Sequence, residues 1–542
     1  MLDKISRKLK ALNTSASEKH YISILSLLIG ITSIVTMWII LTHDLRAWVD
    51  IGLGDEAKYL GGGINFFNSK PDPYWGPIYS FWYFILHIFQ SNPIKLYYLN
   101  YSLMTLLPCI ALYVFQLKMK VAPVFSFYLS FAFLISQINL PTWPKVSHFT
   151  LVFIFVGLIL VQQFKERDAK FTGALVLSLL ITYIRPEFIL SSLLFLIVII
   201  RMIIKNHFRL KYLATIVAIT AIFTLTIGIP YSSDRNLTAF GQAYEKYLDF
   251  NKRVNSNDVP LDWQQILARD FDNPKSVSDA FLNNNENFLK HIEVNIKRLP
   301  IDFQNITDTL LPAYILPVSY LLKISLILII LGTLFILFLL GKLQKYRELV
   351  FNGFAERKDL LFCSVILSIP PLLSVLLYYP RSHYLLLLLP VIYLAVSQLI
   401  MPLKFRSAFI DTSFLSVTVF LCFYFIPRLS SYFPKPDLKR IKAVKYIEKL
   451  NITDNINLLE NEGGLTAYLP GNYKWIKTEV KKENFDKFII KNNVGIIYFS
   501  GQLNNATTFR NDSTWYRFLV NPGSFGFKVI DENNGARIFL RK

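Results

Sequence analysis

The sequence predicts a polytopic α-helical membrane protein with a small α/β domain outside the bilayer. Three observations carry that reading. Apolar runs of about 18 residues or more recur from Tyr21 to near residue 427. Only 17% of residues are charged and 53% are hydrophobic, against roughly 25% charge in soluble domains. The basic residues gather in short clusters between apolar runs, as in the cytoplasmic loops of membrane proteins. Those clusters are the source of the formal net charge of +20, so it gives no argument for nucleic acid as a partner.

Residues 1–20 hold Lys4, Arg7, Lys8, Lys10 and Lys19 and belong in the cytoplasm. The run from Tyr21 to Leu41 is long and lacks a small-residue cleavage site, so it reads as a retained first span. It delivers the polar stretch Gly52 to Gly63, with the adjacent acids Asp55 and Glu56, to the outer side. Pro77 to Gln90 is apolar and aromatic but only about 14 residues long, short for a span. Charge decides its placement. If it crossed, the clusters Lys118/Lys120, Lys165/Arg167/Lys170 and Arg201/Lys205/Arg209/Lys211 would all lie outside. If it lies in the interface, all lie inside, as the positive-inside rule requires. Its aromatic residues, with Tyr74 and Trp75, then form an interfacial belt.

The spans that follow are 21–42, 96–117, 121–138, 147–163, 171–184, 187–204, 211–230, 313–340, 360–378, 383–400 and 408–427, about eleven crossings. The transmembrane domain is thus 21–430, with outer loops 43–95 and 231–312. Inner basic residues include Lys342, Lys345, Arg347, Arg357, Lys358, Lys404 and Arg406. From 431 to 542 the hydrophobic character breaks. Asp437–Leu450 and Glu483–Asn492 read as helices, and 457–459, 495–500 and 525–530 as strands, giving an outer α/β domain. The cysteines Cys109, Cys363 and Cys422 lie in apolar segments and form neither a disulfide framework nor a metal-ligand pattern.

With topology set, the informative residues are polar groups at the outer turns. Asp55 and Glu56 are acids beside a bilayer face, where desolvation makes them uncommon without a role; a solvated loop acid or a helix cap is the plainer account. Arg185 and Glu187 flank Pro186 between two spans, and Arg381 and His383 open a late one. Lys145 and His148 sit in the turn 139–148. A local ion pair accounts for Arg185 and Glu187 equally well, and interfacial snorkelling for Arg381 and His383. Arginine on this face also suits a lipid phosphate, which it can hold bidentately.

In order and sidedness these features resemble the GT-C superfamily of membrane glycosyltransferases, in particular bacterial aminoarabinose transferases and protein O-mannosyltransferases. The resemblance rests on Asp55-Glu56 with Tyr59 after a first span and on Gly76-Pro77-Ile78-Tyr79-Ser80 opening a juxtamembrane helix. Arg185-Pro186-Glu187 between spans, Arg381 with His383-Tyr384-Leu385, and an outer C-terminal domain complete it. It covers about residues 1–430. Two features depart from the family: the next outer loop, Gln137 to Ser147, has no second acid, and the Trp-Trp-Asp signature of oligosaccharyltransferases is absent.

The resemblance implies a sugar donor linked to polyprenyl phosphate and an acceptor that is lipid A, another envelope glycan or a protein hydroxyl. It implies an inverting transfer on the outer face of a bacterial inner membrane, with the tail in the periplasm. Asp55 is then the expected base, with Glu56 orienting the acceptor or acting as base itself. Arg381 and Arg185 are the expected phosphate cations, backed by Lys58 and His383, with Tyr59 and Glu187 as further donor contacts. No cofactor is called for; a divalent cation at Asp55 is compatible with the chemistry, but no ligand cluster indicates one. The alternatives are a transporter or flippase of lipid-linked sugars, which predicts ionisable residues at mid-membrane depth, and a non-enzymatic scaffold for envelope assembly.

Overall fold

The structure, a computed structural model, describes residues 16–68, 71–136, 138–140, 143–205, 208–209, 211–230, 233–250, 262–307, 343–403, 412–420, 438–478, 483–504, 508–509, 512–533 and 536–542. The chain is mostly helical, with a small C-terminal sheet domain. Among the described residues, 6 helices are long and apolar enough to cross a membrane: Ile24–Thr42, Pro93–Lys118, Val146–Gln163, Pro186–Ile204, Lys358–Leu377 and Ser382–Ile400. Pro77–Phe89, Pro123–Leu134 and Lys211–Thr226 are shorter apolar helices. The expected span 171–184 falls on all but the first four residues of a 16-residue helix, Arg167–Thr182. The expected span 313–340 lies outside the described residues, as do Lys342, Lys404, Arg406 and Cys422; of 408–427 the structure describes 412–420.

The Pro93–Lys118 helix shows how local chemistry sets these elements. Asn92 accepts the Lys95 N–H at 3.0 Å and Pro93 occupies a first-turn position, where its missing N–H costs nothing. Lys120, at φ 64, turns the chain out of the helix just before Pro123 starts the next. At about 1.5 Å per residue, 26 residues reach about 39 Å, more than a hydrocarbon core of ~30 Å.

The basic clusters gather at one end of the bundle. Lys120 pairs with Glu356 at 3.4 Å, Arg167 with Asp359 at 3.3 Å and Arg209 with Glu166 at 2.7 Å. Exposed pairs of this kind contribute little stability; their value here is positional. At the other end of the Pro93–Lys118 helix, the Tyr97 and Tyr98 hydroxyls donate to the carbonyls of Asp50 and Val49 at 3.3 and 2.7 Å, so the Asp55 loop lies there.

The loop after Thr226 folds into helices Ser233–Phe250, Trp263–Phe271, Val277–Asn283 and Asn285–Thr307. Asp262 and Gln265 form a reciprocal capping box that starts the second. Phe240, Tyr244, Tyr247 and Phe271 make its core, which packs on Leu377 and Tyr378 at the end of the Lys358–Leu377 helix.

The tail is a mixed five-stranded sheet in the order β2-β1-β3-β5-β4. The strands are β1 (Ile456–Leu459), β2 (Tyr473–Ile476), β3 (Val494–Phe499), β4 (Phe527–Asn533) and β5 (Ala536–Arg541). β1 pairs in parallel with β2 and β3, while β5 is antiparallel to β3 and β4. Side chains alternate between faces, as strand geometry requires. Leu459, Ile497 and Phe539 face a core with Phe485, Trp515 and Phe518 from the helices Phe485–Lys491 and Ser513–Val520. Leu458, Ile496, Tyr498 and Ile538 share the opposite core with the Lys439–Lys449 helix, the Asp55–Ile64 helix and Tyr79, Tyr83 and Tyr97. One hydrophobic core therefore joins the tail to the loop that carries Asp55.

Candidate functional site

The Asp55–Ile64 helix begins after Gly54, which has φ 63, so Asp55 and Glu56 stand in its first turn. Carboxylates are favourable there, beside unsatisfied backbone N–H groups. The helix lies close against Pro77–Phe89. A Cβ on Gly63 would come within 2.3 Å of the Tyr83 Cβ and 2.8 Å of the Ser80 carbonyl oxygen, so only glycine permits this approach.

That approach settles the surroundings of Glu56. Its side chain has 0% exposure. Oε1 accepts from the Tyr79 and Tyr83 hydroxyls at 2.8 and 2.6 Å and from Asn100 Nδ2 at 3.2 Å. Oε2 accepts the Lys145 backbone N–H at 3.0 Å. Burial raises the Glu56 pKa, opposed by the tyrosine hydrogen bonds, the Lys145 N–H and the Lys145 charge. Lys145 is also fully buried. Its ammonium donates to the carbonyls of Asn139 and Leu140 at 2.7 and 3.1 Å and lies 4.1 Å from the centre of the Tyr101 ring. Burial holds its pKa well below the ordinary lysine value, opposed by the Glu56 charge. The sequence reading has Glu56 acting on the acceptor, as its base or its orienting group. In the structure both carboxylate oxygens are occupied by internal donors, and the side chain has no surface at which to meet an acceptor.

Asp55 has the opposite setting. It is half-buried, at the surface, among cations. Lys58, one helical turn on, places Nζ 3.7 Å from the centre of the Trp75 indole, and Arg235 places Cζ 4.2 Å from the same ring. The Arg235 guanidinium also donates to the Tyr74 carbonyl. The Asp55 and Glu187 carboxylates both lie within electrostatic reach of Arg235. Lys58 reaches solvent, yet crowding about its ammonium lowers its pKa; Asp55 opposes this, and the charges of Arg235 and Lys477 add to it. Tyr59 is buried edge-on to Tyr79 and Trp75, at ring separations of 5.0 and 6.2 Å.

The other expected residues form an adjoining group. Arg185 is 7% exposed, bonds Glu187 at 2.5 Å, donates to the Ser147 hydroxyl and covers the Tyr384 ring at 4.9 Å. His383 is nearly buried and its ring lies 4.3 Å from that of Tyr384. Arg381 is half-buried, and its charge reaches His383, Tyr384 and Lys246. Tyr384 also feels Arg235, so the two groups meet around it. Sequence reasoning placed Arg235 in the outer loop without weighting it. Its signal is its position just after the apolar run 211–230, on the same face as Asp55.

Among the described residues, no group of three or more His, Cys, Asp or Glu side chains is arranged to hold a metal ion. Comparison with protein-family models finds none that matches the chain, and comparison with curated proteins likewise finds no match.

Proposed function

We propose that this protein is a membrane glycosyltransferase of the GT-C type. It moves a sugar from a polyprenyl-phosphate-linked donor to an acceptor hydroxyl at the outer face of a bacterial inner membrane. The observation that carries the proposal is one half-buried carboxylate at the surface, Asp55, beside two cations stacked on Trp75. In this reading the acceptor hydroxyl gives its proton to Asp55 as its oxygen attacks the anomeric carbon. The new C–O bond forms as the bond to the lipid phosphate breaks, with inversion. The phosphate leaves with the electron pair, and Lys58 and Arg235 meet its charge. Arg185 is already paired with Glu187, so it orders the site around Tyr384; Arg381 extends the cationic surface toward the lipid, and the buried His383 ring packs beside Tyr384. Glu56, closed inside, sets the register of the Asp55 helix.

The proposal includes about eleven crossings, an N-terminus inside and the tail outside. Support for this sidedness is the gathering of basic clusters at the bundle end remote from Asp55. The donor is tested with purified protein in liposomes, with a bacterial envelope extract supplying lipid, glycan and protein acceptor hydroxyls, and polyprenyl-phosphate-linked mannose, glucose, arabinose or aminoarabinose. Protein-dependent release of polyprenyl phosphate from one donor is expected; release from none of them contradicts the proposal. Mass analysis of envelope glycolipids and glycans from cells with and without the protein identifies the acceptor.

A further inference from the structure

The backbone that leads into Asp55 is held by the tail domain at several successive points. The Asp50 carboxylate accepts the N–H groups of Arg440 and Ile441, each at 3.0 Å, at the start of the Lys439–Lys449 helix. The buried Tyr468 hydroxyl donates to the Gly52 carbonyl at 2.6 Å. The Gly54 N–H donates to the Gly463 carbonyl. The Gly463–Gly464 loop is itself braced from inside. Glu460, at 0% exposure, accepts the N–H groups of Gly463, Gly464 and Leu465 at 2.7, 2.8 and 3.3 Å. Gly464 has φ 106, and a Cβ there would lie 2.4 Å from the Ala57 Cβ, so no other residue fits without displacing the Asp55 helix.

We propose that the tail domain is a positioning clamp for Asp55. Glu460 shapes the Gly463–Gly464 loop, and that loop, with Tyr468 and Asp50, fixes where the Asp55–Ile64 helix begins. The effect on rate rests on the proposed role of Asp55; the mechanical coupling does not. Displacing a reacting group by about 1 Å costs on the order of a hundredfold in rate. The clamp therefore governs kcat, whereas a tail that binds substrate would govern KM. Glu460, Gly464 and Tyr468 are positioning residues in this scheme.

The test uses the full chain in detergent, with variants Y468F, G464A and G464A/A57G. Deuterium exchange is followed over residues 50–57, with β3 and β5 as internal reference. Tyr468→Phe keeps the ring and removes one hydrogen bond, so exchange over 50–57 should rise about fivefold while the sheet stays protected. Gly464→Ala should raise it further, and Ala57→Gly in the same chain should restore part of the protection. Unchanged exchange over 50–57 in both single variants overturns the clamp, whether or not the sheet loses protection. A rise there supports it in either case, and needs no sugar transfer. With whichever donor of the liposome panel is turned over, the single variants should lower kcat at constant donor KM. A raised KM at constant kcat makes the tail a binding module and overturns the positioning role. Coupled exchange in a protein that transfers no sugar removes the proposed chemistry of Asp55 and leaves the clamp standing.

Discussion

Glu56 accepts the Tyr83 hydroxyl at 2.6 Å and has no exposure, while Asp55 beside it is half-buried at the surface. Adjacent carboxylates in one helical turn point to different environments, and the division of labour between them follows from that difference.

Replacing Glu56 should reduce stability before it alters chemistry. In Glu56→Gln the amide NH2 must face either the Lys145 N–H or the cluster of Tyr79, Tyr83 and Asn100 donors, and one donor set loses its acceptor. The expected loss is about 1–3 kcal/mol, read as a lowered unfolding temperature in detergent. Because burial raises the Glu56 pKa above 4.5, its contribution to stability is complete below that pH. It is lost as pH rises through the folded-state value. Glu56→Gln should flatten this part of the stability–pH profile; an unchanged profile contradicts the buried placement.

Gly63→Ala should separate the two helices. The added Cβ meets Tyr83 and the Ser80 carbonyl, and overpacking of this kind costs about 1–3 kcal/mol. Thermal unfolding measures the loss. A neutral result contradicts this close approach of the two helices.

Lys58 and Arg235 share Trp75, so their effects should couple. Each change to alanine should weaken use of the lipid-phosphate donor about 10- to 100-fold, the range for a charge-assisted hydrogen bond of roughly 1.5–3 kcal/mol. The double variant should depart from additivity because both cations rest on one indole. Strictly additive effects, or none, argue against a shared anion site.

Sidedness is open to labelling. Phe67 is 76% exposed and Val520 86% exposed. Cysteines placed there should react with an impermeant maleimide from outside intact cells. A cysteine replacing Lys345 should react only after permeabilisation. Outer labelling at 345 breaks the proposed topology.

Much of the fold was legible because its signals are local. The tail helices at Lys439–Lys449 and Phe485–Lys491 and the strands β1, β3 and β4 fall on the predicted segments or within a few residues of them. β2 was missed: Tyr473-Lys474-Trp475-Ile476 is 4 residues long and pairs in parallel with β1, so no hairpin turn announces it. β5 was also missed, although Asn533 to Gly535 ahead of it is a turn-forming sequence. At the site, loop charge was enough to bring Asp55 and Arg185 to one face. The burial of Glu56 was not readable, because it depends on Gly63, Tyr83 and Asn100 meeting in three dimensions. Arg235 on Trp75 joins residues that are remote in sequence, and no periodicity reports such a contact. The hold of Gly463 on Gly54 is likewise a property of the assembled fold.

The most direct measurement of the central claim is sugar transfer by Asp55→Asn in liposomes, beside wild-type protein, with the donor that wild type consumes. Asparagine keeps the size of the side chain and removes its ability to take a proton. The account predicts a loss of kcat of about a hundredfold or more with unfolding temperature and donor KM preserved. Transfer at the wild-type rate by a correctly folded Asp55→Asn protein would contradict it.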